Sequence, residues 1–175
     1  MSAFTFDAFI TDLQEASMSP NAELQVLALM QQAFKDPSQI ADNVPAFSEE
    51  ADLLLQESSI TIWHWCLQPG ILIPPHDHRM AAIIGIYKGT EENRFYLSEN
   101  GSLQHKATKH VSQGEILSIT PESIHSVQAT EEQPSQGIHV YLGNLDASPR
   151  SLFNWETGEA EPYTEEAYNR LVRFT

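Results

Sequence analysis

A chain of 175 residues is long enough for one well-buried core and sits near the usual size of a single domain. Twenty-four acidic side chains against nine basic ones give a formal net charge of -15, which repels nucleic acid and anionic lipid over most of the surface. No apolar window reaches the ~20 residues of a membrane span, and Cys66, the only cysteine, rules out an internal disulfide. MSAFTFDAFITD has no basic run ahead of an apolar core, so no secretory signal is read, and the expectation is a cytoplasmic protein in a reducing compartment, with neither nucleic acid nor membrane as partner.

The first third reads as helical. Phe6, Phe9, Ile10 and Leu13 recur at near-helical spacing, and Leu24, Leu27, Met30, Ala33 and Phe34 do so again. Ser19-Pro20 is a start signal for the second helix and Asp36-Pro37 a stop signal. FSEEADLLLQ then offers a further short helix or turn.

From about residue 57 the texture changes to short runs of Ile, Val, Tyr, Trp and Phe broken by Gly, Pro, Asn and Ser. Candidate strands are 60–67, 80–87, 93–98, 103–108, 115–120, 124–129 and 137–143, with Asn100-Gly101 as the clearest hairpin turn. Seven or eight short strands with tight turns predict an all-β sandwich or barrel. The end of the chain reads as a loop and then a helix, capped by Thr164, with Glu165 and Glu166 at its positive end and Arg170 and Arg173 at its negative one. The expected organisation is one domain over 1–175: a helical segment 1–56, a barrel core 57–145, and a C-terminal loop and helix 146–175.

Among seven histidines, His76 and His78 are separated only by Asp77, at the entrance to an apolar run. Residues i and i+2 of a strand share a face, roughly 7 Å apart along the backbone, so two imidazoles there can converge on one ion while Asp77 points away. GEILSITPESIH places a second turn, strand and proline ahead of His125. The candidate site is therefore a metal centre made by His76, His78 and His125.

These residues resemble the two motifs of the cupin superfamily. The first runs from Gly70 through five residues to His76-Asp77-His78 and on to Gly89; the second is Gly114, Pro121 and His125. The resemblance covers roughly residues 60–143 and implies an all-β cupin core, a double-stranded β-helix or jelly-roll barrel, with N-terminal helices and a C-terminal helix. Many cupins carry a glutamate four or five residues after the second histidine, where this chain has Ala82 and Ile83. A triad without a carboxylate is similar to the thiol dioxygenases of the cysteine dioxygenase type, which hold iron(II) on three histidines. GIHVY resembles their Ser-x-His-x-Tyr relay, with His139 and Tyr141 in place and Gly137 where the serine would be. The run HDHRMAAIIGIYKGTEENRFY also resembles bacterial relatives of those enzymes.

What this resemblance implies is an iron(II)-dependent oxidation of a small thiol by dioxygen to a sulfinic acid. His76, His78 and His125 would be the ligands, Tyr141 a hydrogen-bond partner of substrate or oxygen, and His139 its orienting neighbour. Zinc, nickel and manganese are the alternative ions. The alternative functions are another cupin dioxygenase, a lyase or isomerase, or a small-molecule binding protein that uses a metal to hold its ligand. No arginine precedes Arg79, so the arginine that grips the substrate carboxylate in cysteine dioxygenases has no counterpart before the first motif. Arg79, Arg94 or Arg150 could replace it, and Arg79, beside a ligand, either reaches the pocket or pairs with an acid such as Glu122. Asp77 and Glu122 are also candidate partners for the ligand histidines. Pairing of barrel edges into a homodimer is a further expectation from the resemblance.

Overall fold

The computed structural model describes residues 4–99, 101–130 and 132–175. Three helices open the chain: α1 (Phe6–Ser17), α2 (Ala22–Ala33) and α3 (Pro37–Asn43). The Thr5 hydroxyl caps α1 by accepting from the Ala8 amide. α2 ends just before Asp36-Pro37, the expected stop, and the same pair also starts α3: the Asp36 carboxylate accepts from the Ser38 amide, and proline occupies the first turn, where no amide donor is needed.

Among the described residues eleven strands follow before the last helix: β1 (Ala51–Gln56), β2 (Thr61–Leu67), β3 (Ile71–His76), β4 (Ala82–Lys88), β5 (Thr90–Glu99), β6 (Ser102–Ser112), β7 (Ile116–Ile119), β8 (Ile124–Ala129), β9 (Ser135–Tyr141), β10 (Ser151–Phe153) and β11 (Ala160–Pro162). Then come α4 (Glu165–Leu171), capped by Thr164 as expected, and the two-residue strand β12 (Arg173–Phe174). Asn100 of the expected hairpin turn lies outside the described residues. Among the described residues no helix is long and apolar enough to cross a membrane.

The strands form two antiparallel sheets. One has the order β1-β2-β9-β4-β7, the other β11-β10-β3-β8-β5-β6, with β12 on the edge of β3. From β2 to β9 the chain crosses between sheets at nearly every connection, so that β2-β9-β4-β7 faces β3-β8-β5-β6. That order is a jelly roll, the double-stranded β-helix of the cupin fold.

Period-2 alternation divides the first sheet into two environments. Ile62, Ile83, Ile138 and Val140 face outward and pack with Phe9, Leu13, Val26, Met30 and Phe34 of the helical layer. Their chain neighbours Trp63, Ile84, His139 and Tyr141 line the interior. Gly85 permits the close fit of the two layers, because a Cβ there would stand 2.5 Å from the Phe34 ring.

The strands that the sequence does not predict are β1, β3 and the short β10, β11 and β12. AlaAspLeuLeuLeuGln, read as a helix or turn, is β1, paired antiparallel to β2 across Ala51↔Trp65 to Gln56↔Thr61. The sequence assigns no strand between residues 67 and 80, yet β3 runs there, through both Pro74 and Pro75. The register with β8 shifts between Ile73 and His76, and this irregularity accommodates residues that cannot donate to a ladder.

Candidate metal centre

His76 is the last residue of β3 and lies opposite His125 on β8. His78 follows two residues later, past the strand end and just before a bend at 79–80, and both rings line the cavity while Asp77 between them is directed away. The bend is held from the other side. The Asp77 carboxylate, buried at 3% exposure, accepts from the Ser151 amide at 2.7 Å and pairs with the Arg79 Nε at 2.7 Å. Ser148 Oγ donates to the His78 carbonyl at 3.0 Å. Arg79 itself has φ 59°, the left-handed region that side chains with a Cβ rarely occupy.

The three imidazoles are buried, and their candidate ligand nitrogens lie within 4.8 Å of one another. His76 Nδ1 lies 2.8 Å from the Pro74 carbonyl, which can only accept, so the proton sits on Nδ1 and the Nε2 lone pair is free. His125 Nδ1 likewise donates to Asn93 Oδ1 at 2.9 Å, and its Nε2 has no partner. His76 Nε2 and His78 Nε2 are 3.1 Å apart, the spacing of adjacent nitrogen donors on one ion with bonds of about 2.1 Å.

Burial pushes the pKa of His76 down to about 4. It also holds His78 and His125 well below the ordinary imidazole value, with the neighbouring histidines adding to the effect. All three are therefore neutral at pH 7, the form in which imidazole binds a metal. An orphaned buried Nε2, two fixed tautomers and an all-nitrogen donor set together fit a divalent transition ion. Pro74 and Asn93 serve the other nitrogens of His76 and His125, and His78 Nδ1 has no partner among the described residues; neither Asp77, engaged with Arg79 and Ser151, nor Glu122, whose side chain is exposed, fills that role.

The cavity around the triad has a volume of about 250 Å³. Trp63, Trp65, Leu67, Ile73, Ile84 and Val127 supply apolar wall, and Glu91, Asn93, His139, Tyr141, Arg150 and Tyr163 the polar groups. Tyr141 stands with its ring 5.0 Å from that of His78, and burial raises its phenol pKa, so the hydroxyl keeps its proton. His139 is on the same face of β9 but is directed to Glu91, its Nε2 3.6 Å from the Glu91 Oε1.

The three arginines separate clearly. The Arg79 side chain is 53% exposed and tied to Asp77, and Arg94 pairs with Glu92. Neither lines the cavity. Arg150 does, with its guanidinium 4.0 Å from the Tyr163 ring centre and no ion pair among the described residues. Its positive charge contributes to lowering the pKa of His76 and His78. Glu91 and Asn93 were missed as site residues because they reach the cavity only through the pairing of β5 with β8. Their signal was the i, i+2 spacing in EENRF, which puts Glu91, Asn93 and Phe95 on one face.

No protein-family model matches the chain. Similar solved structures include an uncharacterized conserved protein with a double-stranded β-helix domain from Klebsiella pneumoniae, at 18% identity over 65% of this chain and 87% of that one, TM-score 0.48. A cupin-like protein from Thermotoga maritima aligns at 16% identity over 69% of this chain and 82% of that one, TM-score 0.46. The DMSP lyase DddQ from Ruegeria pomeroyi aligns at 17% identity over 58% and 50% respectively, TM-score 0.47. The jelly-roll fold stands on the strand order.

Proposed function

We propose that the protein is an iron(II)-dependent dioxygenase that converts a small thiol carrying an anionic group to its sulfinic acid. The observation that carries this reading is the convergence of three neutral imidazoles with no carboxylate among them, in a cavity that also presents Tyr141 and Arg150, an arginine without an ion pair among the described residues. In the reaction RSH + O2 → RSO2H both oxygen atoms end on sulfur, with no reductant required.

Iron(II) on His76, His78 and His125 would supply the redox chemistry that joins a thiolate to dioxygen, which zinc cannot. Arg150 binds the substrate's anionic end by charge-assisted hydrogen bonds, made stronger by the desolvated cavity. Its stack on Tyr163 keeps the guanidinium oriented. Tyr141, held protonated, donates to the substrate or to oxygen. The tryptophans and aliphatic side chains keep bulk water from the reacting sulfur.

A second reading is a lyase or isomerase acting on a different ion in the same triad. Oxygen uptake by iron-loaded protein separates the two. With cysteine, cysteamine and 3-mercaptopropionate as the panel, the dioxygenase consumes about one O2 per sulfinate formed and prefers a thiol with a carboxylate. Arg150→Ala raises KM for that thiol at least about tenfold, the usual cost of a charged hydrogen bond. Absence of thiol-dependent uptake from protein carrying its full iron complement would move the assignment to the second reading.

A further inference from the structure

Glu91 has no role in the mechanism above, yet it is one of the most buried charged side chains, at 1% exposure on the cavity wall. Its Oε2 has no hydrogen-bond partner, and its Oε1 receives only a long 3.4 Å bond from Ser135 Oγ. Across from it, His139 Nε2 is also buried and unpartnered, 3.6 Å from Glu91 Oε1. The imidazole nitrogen thus faces the carboxylate oxygen that Ser135 holds only loosely, while Glu91 Oε2 stays without a partner among the described residues, and buried polar atoms are costly to leave alone.

The strand beside them explains the pairing. Ser135, Gly137, His139 and Tyr141 alternate onto one face of β9. A Cβ on residue 137 would lie 2.7 Å from the Gly85 carbonyl oxygen and 2.8 Å from the Ile86 side chain. A serine there has no room, although its Cβ would be only 3.5 Å from His139 Nε2. Glu91, coming from β5 in the opposite sheet, reaches both neighbours of the gap, Ser135 on one side and His139 on the other.

We infer that Glu91 is the positioning residue for His139, holding one proton between its carboxyl group and Nε2 and so taking the place that a side chain at Gly137 cannot fill. His139 then presents a fixed ring to the bound substrate beside Tyr141. The other titratable groups around this pair are Tyr141 on β9, His64 on β2, the ligand histidines on β3, on β8 and just past β3, Arg150 at the cavity edge, and Tyr163 and Tyr168.

This inference rests on the dioxygenase reading for its role in turnover, but not for the existence of the pair, and two measurements keep them apart. In denaturation of the protein as purified, His139→Phe strands a buried carboxyl group and lowers the unfolding midpoint strongly, whereas the same change in a Glu91→Gln background lowers it little. Equal losses in the two backgrounds would overturn the pair whatever the protein catalyses. In oxygen uptake, Glu91→Gln lowers kcat about 100-fold with KM and iron content unchanged, and Glu91→Asp recovers part of the loss. A coupled midpoint with an unaltered kcat in Glu91→Gln would overturn the positioning role. Coupling in a wild-type protein that oxidises no thiol would instead count against the dioxygenase reading alone.

Discussion

At the scale of single residues the site depends on which nitrogen of each histidine carries the proton. Asn93 makes that choice for His125: its side-chain oxygen holds Nδ1–H and turns the Nε2 lone pair into the cavity. Asn93 is fully buried, so its replacement by alanine leaves a small void and a free Nδ1. The expected result is metal affinity reduced about 10–100-fold, the usual effect of losing such a supporting bond, with the fold intact by circular dichroism. Unchanged affinity in a metal titration of Asn93→Ala would show that the ring is oriented by packing against Phe95 instead. The histidine motif was legible in the sequence because its chemistry is local: two rings one residue apart, and a third after a proline. Asn93 and Glu91 were not, and Arg150 could only be named beside Arg79 and Arg94, since β5 and the segment after β9 approach the triad only once the two sheets are closed.

At the scale of elements, the barrel is built against a helical layer, and Gly85 marks where they are closest. The Phe34 ring, 1% exposed, occupies the space that a Cβ on Gly85 would need. Burial of that ring contributes roughly 1.5–3 kcal/mol, and Gly85→Ala forces it to move. A loss of about 1–3 kcal/mol follows from overpacking, measurable by urea denaturation, and a neutral effect would mean that α2 shifts freely on the sheet. Strands with clear alternation, such as β2, β8 and β9, were legible to within two residues. β1 was hidden by leucines that suit a helix equally well, and β3 by two prolines that a bulged strand tolerates. β10, β11 and β12, of two or three residues each, carry no periodicity to read. β10 nevertheless helps clamp the segment that contains His78, through the Ser151 amide on Asp77.

At the scale of the whole molecule, a strongly acidic chain encloses a cluster of neutral histidines. His76, and also His64, which is packed between Phe47 and Tyr87, have pKa values lowered to about 4 by burial. In the unfolded chain both titrate near 6.5, so between about pH 6.5 and 4 the unfolded state binds more protons than the folded one. Stability is therefore full above pH 6.5 and declines as the pH falls through that window. Denaturation of the metal-free protein at several values from pH 7.5 to 4.5 checks this, and a flat profile down to pH 4.5 would contradict it. A bound ion steepens the decline, because acid must also displace it from imidazoles that bind only when neutral.

The most direct test of the account is the metal content of untagged protein and of its His125→Ala variant, each loaded with iron(II) and desalted. The three-histidine centre predicts about one iron per chain in the wild type and almost none in the variant, whose jelly roll should still fold. Equal iron in both proteins, or none in either, would contradict a metal centre at His76, His78 and His125.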